Sequence, residues 1–281
     1  KKIIIVVFLI IIYDLLSISN RYIDRDLFVS KSKSQSHFSM TLADKSIIKD
    51  TTRYRVYEPS LGLSNARTSY FHNSIGGYHG AKPRRFEELY NLFIDKEIGG
   101  IIDMLNVKYL LYRNKENKLK VMKNSKALGN AWFVENLIKI KSIDSVYKRM
   151  ASTDFSNTAI TSSGKAMLLR DTYNIDSNSK IKLVENKPNY LKYKFSSLND
   201  SFIVFSEIYY PNGWKVKIDN ELSDHFDVNY ILRGLFVKKG DHIIEFEFDP
   251  EIVKIGSIFQ ISSLSIFIIL ILSFSFFSKK I

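Results

Sequence analysis

The sequence predicts an α+β membrane protein, in which a mixed α/β extracytoplasmic region is followed by a small antiparallel β-sandwich and transmembrane helices flank both. Two observations support this fold class. The run Ile255–Phe277 holds no charged residue, which is typical of a membrane-spanning helix. Residues 170–250 contain short runs of alternating apolar and polar residues between turn residues, which is typical of half-buried strands.

The C-terminal apolar run is long enough to cross a bilayer. At about 1.5 Å per residue it reaches about 35 Å as a helix, against about 30 Å for the hydrocarbon core. Lys254 stands before it, and Lys279 and Lys280 follow it. We therefore assign residues 251–278 to a C-terminal transmembrane helix.

The N-terminal apolar run is shorter and has two interpretations. It extends over residues 3–13, between Lys1-Lys2 and Asp14. A basic pair before a short apolar run is typical of a secretory signal peptide, but no small-residue cleavage site follows it. The alternative is the truncated end of a penultimate transmembrane helix over residues 1–18, and the sequence favours this second interpretation.

The lysines on the outer flanks of both apolar runs predict the orientation. Basic residues beside membrane helices favour the cytoplasmic side. Both termini are then cytoplasmic, and residues 19–250 are extracytoplasmic. In a bacterium, this describes a multi-pass protein of the cytoplasmic membrane with its central domain outside.

Composition limits the classes of function. Hydrophobic residues make up 45% and aromatic residues 14% of the chain, which is enough for a packed core. The net charge of +12 favours membrane lipids or an anionic envelope polymer as partners of an external domain, although solubility alone also explains it. The topology argues against nucleic acid. Because the chain has no cysteine, disulfides, thiol nucleophiles and cysteine-based zinc sites are excluded.

Residues 19–165 are predicted to form the mixed α/β domain. Residues 19–45 are polar and rich in Ser and Lys, as in a linker, and contain the motif Asp24-Arg25-Asp26. Many membrane glycosyltransferases keep metal-binding or catalytic acids in an external loop, but a bare D-x-D often occurs by chance, so we assign no metal site. Strands and helices then alternate, with strands predicted over 54–57, 107–112 and 119–121 and from residue 131, and helices over 43–50 and 143–150.

The most distinctive stretch is Thr68–Tyr90, where a glycine loop leads into a helix that begins at Pro83. Free backbone N–H groups at a helix N-terminus favour a phosphate, and basic side chains stand beside them here. The spacing is neither G-x-G-x-x-G nor a P-loop, and a tight turn with surface basic residues explains the same pattern. The candidate anion- or sugar-binding residues are His72, Gly76, Gly77, Tyr78, His79, Gly80, Lys82, Arg84 and Arg85.

Residues 166–250 are predicted to form the β-sandwich. Leu191, Tyr193 and Phe195 alternate with lysines, and the run Phe202–Phe205 is wholly apolar. The block Pro211–Trp214 is interpreted as a turn followed by a buried Trp. Because no catalytic constellation is recognisable in this region, we assign no catalytic residue.

Several blocks of sequence resemble the C-terminal part of YfhO-type bacterial membrane proteins, from about Asp14 to the end of the chain. They are SYFHNSIGGYHGAKPRRFEEL, MLNVKYLLY, ALGNAWFVENL, PNYLKYKF, FSEIYYPNGWKVKIDN and NYILRGLFVKKGDHIIEFEFDP. That family is similar to GT-C glycosyltransferases, so the resemblance implies a polyprenyl-phosphate sugar donor and sugar transfer to an envelope glycan or lipid. It also implies that the catalytic acids lie in a first external loop upstream of this chain.

Two functional hypotheses follow. In the first, the chain is the C-terminal fragment of a polytopic glycosyltransferase-like protein and positions a donor or acceptor. Its partners are then membrane lipids, a lipid-linked sugar or an anionic envelope polymer, and upstream transmembrane helices of the same protein, with no cofactor in this part. In the second, the chain is a non-enzymatic, membrane-anchored binding or structural module. A third possibility, an external hydrolase, is weaker, because no Ser–His–Asp or paired-carboxylate arrangement can be picked from the sequence.

Removing two arginines tests the predicted anion site. The double variant Arg84→Ala with Arg85→Ala should weaken binding of anionic envelope lipids, because it removes two positive charges beside the helix N-terminus. Binding of a labelled anionic lipid to the solubilised protein measures this. Unchanged binding would contradict the predicted site.

Overall fold

The computed structural model describes residues 2–23, 25–36, 39–78, 80–96 and 100–278. The chain forms two compact units, one up to Asp50 and one from Thr51 onward. Several positions used in the sequence analysis lie outside the described residues, namely Lys1, Asp24, His79, Lys279 and Lys280.

The first unit is helical. Its helices are α1 (Lys2–Tyr22), α2 (Lys31–Ser36) and α3 (Leu42–Ile47), with a 3-10 turn at Arg25–Leu27. α1 contains 21 residues and is long and apolar enough to cross a membrane. It continues beyond the predicted end at residue 18, and the predicted linker over residues 19–45 contains its last turn and all of α2.

The second unit combines helices and strands, which confirms the α+β class. Its helices are α4 (Ala66–Phe71), α5 (Arg84–Leu89), α6 (Ile101–Met104), α7 (Ile143–Met150) and α8 (Glu251–Ser278), with 3-10 turns at Pro59–Leu61 and Lys165–Leu168 and a π-helical turn at Tyr90–Ile94. Its strands are β1 (Arg55–Tyr57), β2 (Val107–Arg113), β3 (Leu119–Lys123), β4 (Ala131–Val134), β5 (Asn136–Lys139), β6 (Thr158–Thr161), β7 (Lys180–Lys187), β8 (Tyr190–Ser197), β9 (Ser201–Ile208), β10 (Trp214–Ile218), β11 (Glu221–Ser223), β12 (Phe226–Val228), β13 (Leu232–Val237) and β14 (Gly240–Phe248).

Side-chain caps explain where two of the predicted helices begin. Thr41 Oγ1 accepts a hydrogen bond from the Asp44 amide at the start of α3, and the Asp44 carboxylate accepts one from the Thr41 amide. Ser142 Oγ accepts a hydrogen bond from the Ser145 amide at the start of α7. Such caps satisfy amides that have no partner within the helix.

The strands form two large antiparallel sheets and two small ones. The large sheets have the strand orders β11-β10-β14-β8-β7 and β12-β13-β9-β4. β1 pairs in parallel with β2, which pairs antiparallel with β3, and β5 pairs in parallel with β6. The two large sheets face each other and make the predicted sandwich.

The inner faces of the two large sheets enclose one hydrophobic core. The Tyr193 and Phe246 rings each approach Phe205 with centroids 4.9 Å apart. The predicted alternation therefore holds, since the apolar residues of β8 and β14 face inward while the intervening charged residues face out. The buried residues of this core are Leu191, Tyr193, Phe195, Ile203, Phe205, Val216, Leu235, Val237, Ile244 and Phe246.

The opposite face of the four-stranded sheet contacts a second core. Phe202 and Val204 belong to this core, which also contains buried residues of α5, α6 and α7. Ile203 and Phe205 belong to the sandwich core, and all four side chains are fully buried. β9 is therefore covered on both faces, which is the physical reason for its unbroken apolar run.

β4 connects the two predicted extracytoplasmic regions. It precedes residue 165 in the sequence but pairs with β9, with Trp132 opposite Val204. Residues 19–165 and 166–250 thus share one sheet, and the division between them stays a prediction.

α8 corresponds to the predicted C-terminal membrane helix. It begins at Glu251, so only Asp249 and Pro250 separate it from β14. Its part Glu251–Phe274 is long and apolar enough to cross a membrane, and none of it is buried by the described part of the chain.

A largely buried ion cluster joins the start of the second unit to β9. Glu207 accepts a hydrogen bond from Arg53 at 2.9 Å and lies 3.3 Å from Arg55. Burial raises the pKa of the Glu207 carboxyl, but the positive charges of Arg55, Arg53 and Arg233 outweigh this and hold the pKa below its ordinary value. The fold is therefore stabilised by Glu207 in its ionised form.

Glu207→Gln should destabilise the second unit, because it leaves the arginines without their counter-ion. We expect a loss of about 2 to 3 kcal/mol, below the value for fully buried pairs because the Glu207 side chain is still 15% exposed. Since the pKa is lower in the folded state, this stabilisation is complete above the unfolded pKa of about 4.3 and is lost as pH falls through the folded pKa.

Chemical denaturation of the solubilised protein across this pH range measures the effect. The variant and the parent should differ near neutral pH and converge in acid. Glu116→Gln, which removes an exposed partner of Lys118, is the matched control and should be nearly neutral. Equal stability of parent and Glu207→Gln at neutral pH would contradict the prediction.

Candidate functional site

The sequence-predicted anion loop lies between α4 and α5, and two of its backbone amides already have partners. The Gly76 amide donates to Ser74 Oγ at 3.0 Å, and the Gly77 amide donates to the Leu63 carbonyl oxygen at 2.7 Å. These two N–H groups are therefore not free for a phosphate in this conformation.

The other loop residues differ in exposure. His72 follows the last turn of α4 and is buried, whereas Tyr78 is 84% exposed. Gly80 has open space where a side chain would be. The structure thus brings only part of the predicted set to the surface, and His79 lies outside the described residues.

Two basic side chains of the predicted site have polar partners within the segment from α4 to α5 and the turn before it. Lys82 Nζ lies 3.1 Å from Ser64 Oγ, and Arg84 pairs with Glu88 at 2.8 Å. α5 begins at Arg84, so Pro83 occupies the preceding cap position rather than the first helical position that the sequence predicted.

Arg85 has partners that are distant in sequence. Its guanidinium lies 3.2 Å from Asp227 and 5.8 Å from the centre of the Tyr230 ring. Tyr230 also donates to Glu88, and this hydrogen bond, with that of Arg84, holds the pKa of Glu88 below its ordinary value. Anion binding by the loop therefore stays a prediction, in which a ligand would compete with carboxylates for both arginines.

Glu58 is a buried carboxylate that the sequence analysis did not identify. Its side chain is 1% exposed, and Oε2 accepts from Thr68 at 2.9 Å and lies 3.3 Å from Arg67. Oε1 has no hydrogen-bond partner among the residues that the structure describes. No local pattern around Glu58 distinguishes it from an exposed carboxylate, because Thr68, its hydrogen-bond donor, is ten positions away.

A groove at the junction between the sandwich and α8 has the geometry of a binding site. It encloses about 650 Å³. One wall comes from the turn into β10 and the other from the end of β14 and the first turn of α8. The residues that line it are Tyr210, Pro211, Asn212, Gly213, Trp214, Lys215, Phe248, Asp249, Pro250, Glu251, Ile252 and Val253.

Three aromatic rings line this juxtamembrane groove. The Trp214 and Phe248 rings lie 5.3 Å apart, and Tyr210 and Phe248 lie 6.4 Å apart. The buried Arg233 guanidinium stacks 4.1 Å from the Trp214 ring and so fixes the indole from the protein interior. Trp214 is half-buried and lines the groove, which corrects the interpretation of this residue as a buried Trp.

The rim of the groove carries a cluster of charges. Asp249 lies 3.2 Å from Lys215 and 2.7 Å from Lys254, and Lys215 lies 3.9 Å from Glu251. Hydrogen bonds from Lys254 and Lys215 hold the pKa of Asp249 below its ordinary value, so this carboxylate is ionised at neutral pH. Two ammonium groups therefore meet at the point where α8 begins.

Gly213 sets the shape of the groove floor. Its φ of +139° is one that residues with a side chain rarely adopt. A Cβ at this position would lie 2.7 Å from Phe248 Cε2 and 3.0 Å from Pro250 Cβ. The turn predicted at Pro211–Trp214 is confirmed. No signal in the sequence marked it as part of a site, because Trp214 meets Phe248 only through the pairing of β10 with β14.

The described part of the chain offers no metal centre. No group of three or more His, Asp or Glu side chains is placed to hold a metal ion among these residues. The rings and the charged rim make the groove an aromatic cleft that could bind and orient a ligand.

Gly213→Ala should distort the groove and destabilise the junction, because the new methyl group collides with Phe248. We expect a loss of about 2 kcal/mol, which combines backbone strain with overpacking. Gly164→Ala is the matched control, since that position is open and has φ of −59°. Thermal unfolding of both variants measures this, and equal midpoints would contradict the steric role of Gly213.

Comparison with known proteins finds one family similar to the part of the chain that forms the groove and most strands of the sandwich. Residues 152–260, which run from before β6 into the first turns of α8, match a family model described as "Bacterial membrane protein YfhO". The matched range contains both walls of the groove but not the predicted anion loop. No curated protein and no solved structure matches the chain. The family match over this range and the two apolar helices together support a YfhO-type bacterial membrane protein.

Proposed function

We propose that this protein is glycosyltransferase-like, transferring a sugar from a polyprenyl-phosphate donor to a glycan or lipid of the cell envelope, and that the juxtamembrane groove holds a lipid-linked head group. The observation that carries the proposal is the position of the groove, between the sandwich and the first turn of the candidate span Glu251–Phe274. A lipid-linked sugar bound there would have its head group against the aromatic rings and its hydrocarbon chain along α8.

The lining residues suit the two chemical parts of such a head group. The faces of Trp214 and Phe248 are apolar and electron-rich, so they can pack against the C–H groups of a sugar ring. Lys215 and Lys254 bring positive charge to the rim, where a phosphate would compete with Asp249 for their ammonium groups. The groove thus matches a ligand that is apolar on one face and anionic at one end.

The proposed reaction gives this part of the protein a positioning role. The acceptor hydroxyl oxygen attacks the anomeric carbon, and the bond from that carbon to the phosphate oxygen breaks with its electron pair remaining on the lipid phosphate. A carboxylate base takes the hydroxyl proton, and the family resemblance assigns that base to an upstream loop. The groove would hold the donor head group near the acceptor and bind it equally well in the ground state and in the transition state.

The same proposal includes a topology. Residues 19–250 lie outside the cytoplasmic membrane of a multi-pass protein, and both termini are cytoplasmic. The orientation rests on the lysines that flank the apolar runs. Tyr210 and Trp214 lie beside the start of α8, and such rings are enriched at the level of the lipid head groups on either side of a membrane, so they support only the closeness of the groove to a membrane surface.

Sugar transfer by the full-length protein in lipid vesicles tests the proposal. With a panel of polyprenyl-phosphate sugars and an envelope lipid extract as acceptor, Trp214→Ala should raise the KM for the donor about tenfold and leave kcat nearly unchanged. A groove that binds ground and transition state alike contributes about 1.4 kcal/mol in this way. Tyr112→Ala removes an exposed ring outside the groove and is the matched control.

Two outcomes would overturn parts of the proposal. If the folded Trp214→Ala variant has the same KM for the donor as the parent, the groove does not bind the donor. No turnover with any donor, combined with retained binding of the lipid-linked sugar, would favour the non-enzymatic binding module instead.

A further inference from the structure

Arg233 is a buried cation that no carboxylate contacts. The residue is 2% exposed, and its Nε donates to the Ile208 carbonyl oxygen at 2.9 Å. Among the residues that the structure describes, no carboxylate oxygen lies within 4.0 Å of the guanidinium, and Nη1 has no hydrogen-bond partner. Taking a cation out of water is unfavourable unless a partner compensates its charge, so this side chain requires one.

Two aromatic rings cover the Arg233 guanidinium. Its Cζ lies 4.1 Å from the centre of the Trp214 ring and 5.3 Å from the centre of the Phe246 ring. Such contacts offset part of the cost of burying a positive charge, but they leave the N–H groups of Nη1 without an oxygen or an anion as acceptor. The guanidinium therefore retains an unmet hydrogen-bond donor.

A second donor without a partner lies in the same core. Tyr193 is 1% exposed, and its hydroxyl has no hydrogen-bond partner within the described part of the chain. Its ring centre lies 4.9 Å from that of Phe205, which stands directly opposite Arg233 across the β9–β13 pair. Burial, together with the charge of Glu207, raises the pKa of this hydroxyl, so it stays protonated and can donate.

His225 supplies a third such atom. Its Nε2 is buried and has no partner among the described residues, and its ring centre lies 5.8 Å from that of Phe246. Burial and the charge of Arg233 lower the pKa of His225 to about 4, so the imidazole is neutral at neutral pH and Nε2 can carry the hydrogen. The Tyr193 ring is 6.3 Å from Phe246 as well, so all three groups surround one aromatic ring.

The charges around these atoms do not balance. Three arginines share one carboxylate, Glu207, which leaves a net charge of +2. Two of them, Arg53 and Arg55, lie 2.9 and 3.3 Å from its oxygen, and the third is Arg233. A water molecule would satisfy the free donors but not the charge, whereas an anion satisfies both. Because the donor atoms are sealed from solvent in a packed interior, a monatomic anion fits better than a phosphate or a carboxylate.

We propose that the sandwich core binds a chloride ion, held by Nη1 of Arg233 and the hydroxyl of Tyr193 and adjacent to Nε2 of His225. Chloride accepts several hydrogen bonds, is little larger than a water molecule and supplies negative charge to the arginine cluster. The ion would contact the guanidinium that stacks on Trp214, and would thereby stabilise the inner side of the groove wall. This site goes beyond the proposed function and does not depend on sugar transfer.

Two measurements on the full chain in detergent test the proposal. Line broadening in chloride NMR reports binding of the ion directly, and thermal unfolding reports its effect on stability. At constant ionic strength, replacing gluconate by chloride should raise the unfolding midpoint by about 3 to 5 °C once chloride reaches about ten times its dissociation constant, because the ion binds only the folded state. The response should saturate, and bromide should act like chloride.

Two variants each remove one contact of the ion. Tyr193→Phe and Arg233→Met should both lose the chloride line broadening, and their midpoints should no longer differ between chloride and gluconate. Tyr193→Phe keeps the aromatic packing and removes only the hydroxyl, so it gives the answer even where Arg233→Met does not fold. Tyr173→Phe is the matched control, because it removes a buried hydroxyl from the other core and should respond to chloride as the parent does.

Three results would contradict the proposal. If the parent has the same midpoint in chloride and in gluconate and broadens no chloride line, water satisfies these donors instead of an anion. If the chloride response persists in the folded Tyr193→Phe variant, or is lost equally in Tyr173→Phe, the ion does not bind at this hydroxyl. If the midpoint rises linearly with chloride without saturating, the effect is that of salt in general.

Discussion

Glu207 is the carboxylate on which the junction between the layers of the second unit depends. It lies on β9, the strand that is covered on both faces. Its negative charge neutralises the positive charges of Arg53 and of Arg55, the first residue of β1. Arg233 on β13 also interacts with the charge of Glu207. Burial lowers the pKa of the Arg233 guanidinium to about 10. Three guanidinium groups thus depend on one carboxylate in a region of low solvent access. Because Arg233 also stacks on Trp214, this cluster reaches from the core to the wall of the juxtamembrane groove.

The sandwich separates two surfaces of different chemistry along the same strand. At its C-terminal end, β14 supplies Phe248 to an aromatic groove beside α8. Near its N-terminal end it lies beside Lys180, Lys182 and Lys194, and Ile243 faces Lys194. The intervening residues alternate between the buried core and ion pairs on the outer face of the sheet. The two-sheet core therefore holds the groove beside α8 and this basic surface at opposite ends of one strand.

Local patterns predicted much of this fold, because each depends on residues close in sequence. The alternation in β8 and β14, the apolar run of β9 and the uncharged run of α8 all correspond to observed elements. The candidate site was harder to predict. The basic residues of the loop before α5 suggested an anion site, yet Arg85 pairs with Asp227, which is 142 positions away. The groove was missed because its walls, at Trp214 and Phe248, come together only when β10 pairs with β14.

The sequence by itself determined which segments could enter a membrane and which strand faces must be covered, since burial of apolar side chains follows from local periodicity. Only the tertiary structure decided what covers each face and which charge neutralises which. The pairing of β4 with β9 and the contact between Arg53 and Glu207 join residues separated by long stretches of chain. No local pattern specifies such partners, because a basic side chain has the same sequence signature whether it meets solvent, a carboxylate or a ligand.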